Sequence, residues 1–141
     1  MSGFCLGVAV ALIQASIPAE RLTLAWTHSV EKIPWEEDYV IRDGRLVLTE
    51  ARVQGNGAGM EPPEQAVWRE GWWRYTPALG PLPKVILTTS PYAGDYRLCW
   101  AGACTELSKI VGAPARLGGR VELFPCPPES GLSLSTKIIV D

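Results

Sequence analysis

From residue 22 to residue 30, apolar and polar side chains alternate almost one for one. Leu22, Leu24, Trp26, His28 and Val30 share one side, and Thr23, Ala25, Thr27 and Ser29 share the other. This two-residue period predicts a strand with one face turned to a core. Pro34 has no amide hydrogen to give and interrupts the pairing, and residues 35–41 resume as a strand. Asp43-Gly44 reads as a two-residue hairpin turn leading into residues 45–53. Val67-Trp68 and residues 72–75 flank Arg69-Glu70-Gly71 as a second hairpin, and residues 96–100 and 103–107 flank Ala101-Gly102 as a third. Between these two hairpins, the Pro-rich link 77–83 precedes a short buried strand, KVILTT, at residues 84–89. Gly118-Gly119 opens a strand over residues 120–124, and residues 136–140 close the chain as a last one. The only helical signal is a single turn within residues 106–111.

Short strands, regular turn punctuation and no solenoid or propeller period predict an all-β antiparallel sandwich or partly open barrel. The 12 prolines and 14 glycines argue against a helical bundle. At 141 residues, with no long polar linker, residues 1–141 are read as a single β domain. A net charge of −2, with Lys and Arg scattered singly, excludes nucleic-acid binding as a general function. Residues 3–13, GFCLGVAVALI, are apolar but too short for a membrane span, so no integral membrane segment is expected. No Lys or Arg precedes Arg21, so the run lacks the basic start of a signal peptide and reads as the first buried strands. That reading favours a cytoplasmic location, with the periplasm as the alternative.

Candidate chemistry gathers in residues 22–39. His28 is the only histidine, and imidazole titrates nearest neutral pH. On a regular strand, however, Ser29 and Glu31 point away from it, so no local Ser–His or His–Glu dyad forms. Its face-mates Leu24, Trp26 and Val30 suit a buried, hydrogen-bonded ring. Glu31, Glu36, Glu37 and Asp38 make the densest acidic cluster. Adjacent Glu36 and Glu37 diverge on a strand, and the spacing matches no calcium loop, so a solvated face with ordinary ion pairs is the plainer reading. The glycines at 55, 57 and 59 offer either an anion-binding nest or a loop that needs positive φ. No Gly-Lys-Ser/Thr ending makes it a phosphate loop.

If Ala101-Gly102 is a two-residue turn, Cys99 faces Cys104 in a non-hydrogen-bonded pair, within disulfide reach. The alternative is a zinc site in which Cys99 and Cys104 are joined by Cys5 and Cys126 or by His28. An oxidising compartment favours the bridge, and a reducing one favours free thiols or metal. Trp68, Trp72 and Trp73 lie near one hairpin and can line a ligand groove. Trp72 and Trp73 point to opposite sides of their strand.

The segments WTHSVEKIPWEEDY, DGRLVLTEARVQGNGAGMEPP and GWW resemble family 1850 of the domains of unknown function, in its proteobacterial form. Thr27-His28-Ser29-Val30-Glu31 with Gly57-Ala58-Gly59-Met60 carries the likeness, which extends through Cys5-Leu6 and Leu98-Cys99 to Cys104. The resemblance implies a small non-enzymatic accessory protein, since such members are often encoded beside the fused membrane subunit of TAXI-type tripartite solute importers. It carries over no catalytic residues. The expected binding surface comprises Thr27, His28, Ser29, Glu31, Trp35, Glu37, Gly57, Gly59 and Met60, facing a transporter subunit or a small solute. The rival expectation is a metal-binding protein using His28 with cysteine or carboxylate ligands, zinc being the candidate ion.

Overall fold

The structure, a computed structural model, describes residues 3–8, 12–27, 32–54, 63–88, 94–112 and 119–127. In chain order the elements are β1 (Phe4–Gly7), β2 (Ile13–Ile17), β3 (Arg21–Thr27), β4 (Pro34–Arg42), β5 (Arg45–Gln54), β6 (Val67–Arg69), β7 (Trp72–Tyr75), β8 (Val85–Thr88), β9 (Arg97–Trp100), β10 (Ala103–Glu106), α1 (Leu107–Val111) and β11 (Arg120–Pro125). The strands form two antiparallel sheets, one ordered β2-β1-β11-β8 and the other β10-β9-β3-β4-β5-β7-β6. They face each other as a sandwich and do not close into a barrel. The expected strand at residues 136–140 lies outside the described residues.

One buried cluster joins the two sheets. Phe4, Leu6, Leu87, Val121 and Leu123 from the smaller sheet meet Leu22, Leu24, Tyr39, Leu46, Leu48 and Leu98 from the larger. β1 and β11 are buried on both faces: Cys5, Glu122 and Phe124, which point away from the cluster, are also inaccessible. Lys84 and Arg120 neutralise Glu122 at 3.3 and 3.0 Å. Within the apolar start of the chain, β1 is thus a core strand as expected, whereas Leu12 and Ile13 at its far end are exposed.

Three tight turns have two central residues at positive φ: Asp43-Gly44, Glu70-Gly71 and Ala101-Gly102. That backbone matches the right-handed twist of the strands it joins. The middle hairpin therefore turns one residue later than its sequence suggests, with Arg69 still paired to Trp72. Leu107 leaves the third hairpin and starts α1, where its amide donates to the Tyr96 carbonyl at 2.9 Å. Asp95 accepts from the Ser108 amide and hydroxyl, so a neighbouring segment caps this short helix. Pro34 opens β4 opposite Thr27; a first strand position tolerates the missing donor.

One irregularity sets the larger sheet's inner face. Asp38 pairs with Glu50 and Tyr39 with Leu48, leaving Thr49 as an extra residue. This β-bulge shifts the parity of β5, so that Leu46, Leu48, Ala51 and Val53 all point inward despite an odd spacing between Leu48 and Ala51.

Candidate functional site

The inner face of the larger sheet is layered in rows that run across the strands. Opposite residues of an antiparallel pair share a face, and the register places Trp26 against Trp35, Trp35 against Val53, Val53 against Trp73, and Trp73 against Trp68. Tyr96 extends the row beyond Trp26, with ring centroids 5.9 Å apart. Trp26 and Trp35 stack at 6.0 Å, and Trp68 meets Trp73 edge-on at 5.1 Å. A band of aromatic rings, interrupted only by Val53, therefore crosses the sheet. Trp26, Trp35, Trp73 and Tyr96 are half-buried and Trp68 is exposed. The Trp35 Nε1–H is enclosed yet has no hydrogen-bond partner among the described residues, whereas a buried indole N–H ordinarily finds one.

The next row inward carries a charge. Leu24, Glu37, Ala51 and Tyr75 lie side by side, and Leu98 continues the row beyond Leu24. One row further in, Leu22, Tyr39 and Leu48 belong to the core. Glu37 is thus a carboxylate set between an aromatic band and a hydrophobic core. The Tyr39 hydroxyl donates to its Oε1 at 2.7 Å. Among the described residues, no Lys or Arg forms an ion pair with it. Burial raises the Glu37 pKa above its ordinary value, and the Tyr39 hydrogen bond offsets only part of that rise. Burial also raises the Tyr39, Tyr75 and Tyr96 phenols, and the Glu37 charge raises each further. On Tyr96, a hydrogen bond with the Thr88 backbone opposes the rise. The three phenols therefore all lie within the field of one carboxylate.

The opposite face of the same strands holds an ordinary ion-pair network. Arg52 reaches Glu36 at 2.9 Å, Asp38 at 2.7 Å and Glu50 at 2.6 Å, and Arg74 joins Glu50 at 3.2 Å. Thr23 donates to Asp38 at 2.7 Å. Burial pulls the Asp38 pKa up, but Arg52, Thr23 and Arg74 outweigh it and leave the pKa below the usual carboxylate value. The Arg52 guanidinium is held more firmly charged than a free one, chiefly through its hydrogen bonds to Asp38. Glu36 and Glu37 diverge as strand parity requires, and only Glu37 turns inward.

Of the expected binding surface, Thr27, Trp35 and Glu37 are described: Thr27 is exposed at the end of β3, and the other two are half-buried on the inner face. His28, Ser29, Glu31, Gly57, Gly59 and Met60 lie outside the described residues. Tyr39, Tyr75 and Tyr96 were not singled out from the sequence, although the spacing of Trp35, Glu37 and Tyr39 on one strand already puts three of the site's groups on one face.

Cys99 pairs with Cys104 across the third hairpin, bridged with Cα atoms 4.0 Å apart. Cys5 is bridged to Cys126, with Cα atoms 4.9 Å apart. This corrects the zinc alternative built on Cys5, Cys99, Cys104 and Cys126. None of the four is free, a disulfide sulfur is not a thiolate ligand, and the two pairs lie in different sheets. Among the described residues, no group of three His, Cys, Asp or Glu side chains is placed to hold a metal ion. No described helix is long and apolar enough to cross a membrane.

The fold and its inward carboxylate define a β-sandwich with a built polar position on an aromatic inner face. The profile of the family described as "Domain of unknown function (DUF1850)" matches residues 22–107, well over half of the chain. The chain belongs to that family. The matched stretch runs from β3 to the start of α1 and so contains every strand of the larger sheet and both rows of the site. Neither the curated proteins nor the solved structures include a match to this chain.

Proposed function

We propose that this protein is a non-enzymatic accessory or binding module working beside a tripartite solute importer of the TAXI type, in a proteobacterial setting. The observation that carries the binding role is the Tyr96–Trp26–Trp35 wall next to Glu37. A half-buried carboxylate with no cation paired to it among the described residues is costly to hold for packing alone, and aromatic side chains concentrate at recognition surfaces. The tie to the importer rests on the family resemblance and its gene neighbourhood. The two disulfides favour an oxidising compartment, such as the periplasm, over the cytoplasmic location expected from the start of the chain.

The test is affinity capture of the importer's detergent-solubilised fused membrane subunit by the tagged, oxidised chain. The wild-type chain should retain the subunit, and the Trp35→Leu/Glu37→Gln double variant should retain several-fold less. Equal retention by both chains would remove this surface from the interaction, and no retention by either would remove the transporter association.

A further inference from the structure

We propose that Glu37 and the aromatic row beside it hold a small organic ammonium ion. This rests on the binding-module reading and gives it a ligand class.

Two independent features of the site agree on a cation, and a third points to an acceptor oxygen beside it. The first is charge: among the described residues the only hydrogen bond to Glu37 comes from a neutral phenol, and no Lys or Arg neutralises it. On the outer face of the same strand, Asp38 and Glu36 are paired to Arg52. The sheet thus supplies a counter-ion to the carboxylates of one face and leaves the inward one for something else. The second is the wall. Trp26 and Trp35 are stacked with nearly parallel planes, 12° apart, and Tyr96 is tilted against Trp26. Indole and phenol faces attract a cation through their quadrupole, and aromatic cages with a carboxylate are a general solution for ammonium groups. The third is the enclosed Trp35 Nε1–H in the same row, a donor without a partner among the described residues. It offers a hydrogen bond to an oxygen on the ligand.

A neutral sugar would stack on the indoles, but it would leave the carboxylate's charge uncompensated. An anion would add a second negative charge beside Glu37. A bare metal ion would need several oxygen ligands, and the site's described atoms supply one carboxylate among phenols and indoles. An ammonium ion with a nearby oxygen satisfies the charge, the ring faces and the open donor together. Tyr96 is anchored for this role, because its carbonyl accepts the Leu107 amide where α1 begins.

The experiment titrates the full oxidised chain with choline and with n-butylammonium, read by tryptophan fluorescence and calorimetry. The controls are 3,3-dimethylbutan-1-ol, which has choline's shape and hydroxyl without its charge, and glucose. At least one ammonium ion should saturate the signal, with the neutral alcohol and glucose at least tenfold weaker. Glu37→Gln, which keeps an acceptor for the Tyr39 hydroxyl, should lose at least tenfold in ammonium affinity with a native circular dichroism spectrum. Trp26→Leu should weaken the same ligand without touching the carboxylate. The proposal is overturned if neither ammonium ion saturates below about 10 mM, if the neutral alcohol or glucose binds as well, or if Glu37→Gln binds ammonium like the wild type. Ammonium binding without capture of the membrane subunit would sink the transporter association alone. Capture without ammonium binding would sink the ligand class alone.

Discussion

Neighbouring residues of β4 have opposite electrostatic fates, and pH separates them. The folded pKa of Glu37 is raised above 4.5, so the fold binds more protons there than the unfolded chain. Stability contributed through Glu37 is therefore greatest below that value and falls as pH rises through the folded pKa. Glu37→Gln should flatten this dependence and leave the protein more stable than the wild type at pH 7, read by urea unfolding at pH 4.5 and 7. Asp38 works the other way. Its folded pKa is depressed, so its contribution is present above 3.8 and is lost as pH falls through the folded value. Arg52→Met removes the cation shared by Glu36, Asp38 and Glu50. It should cost about 2 kcal/mol, less than for a fully buried pair because water still reaches the carboxylates.

At the scale of the element, the turns and the bulge decide how the strands face. Ala101 sits at φ 52°, a conformation that a side chain with Cβ adopts at a cost. Ala101→Asn puts the preferred Asn-Gly pair into that turn and should stabilise the protein by about 1 kcal/mol in thermal unfolding. The Asp43-Gly44 turn and the pairing of Cys99 with Cys104 were legible in the sequence because a two-residue turn fixes the register of its hairpin. The inward direction of Ala51 and Val53 was not. A bulge is set by tertiary packing, and its only trace in the sequence is the parity change between Leu48 and Ala51. The Thr49 hydroxyl donates to the Asp38 carbonyl at 3.3 Å, and the Thr49 carbonyl accepts from Thr76 at 3.1 Å. The extra residue is thus tied on both sides. The candidate site was half-legible for a related reason. Strand parity gave the opposition of Glu36 and Glu37, but the row from Tyr96 to Trp68 exists only once five strands are in register.

For the whole molecule, the strands at the two ends of the described chain complete the smaller sheet, while the family's matched stretch builds the larger one. The Cys5–Cys126 bridge spans 121 positions of sequence, and the Cys99–Cys104 bridge spans 5. If loop closure in the unfolded chain dominates, removing the first pair by Cys→Ala should cost about 5 kcal/mol and removing the second about 2 kcal/mol. Guanidinium titrations of the two double variants would measure both losses. A smaller loss for Cys5→Ala/Cys126→Ala than for Cys99→Ala/Cys104→Ala would show that the long crosslink is not acting through the unfolded ensemble.

The long crosslink also changes what a protease can achieve. A single cut anywhere between Cys5 and Cys126 leaves both fragments fastened to one another. A nicked molecule, heavier only by the water taken up at the cut, stays in one piece until a reductant is added, and with strands from both pieces already paired it can go on holding its shape. Resistance to a single backbone cut is thereby written into the covalent structure.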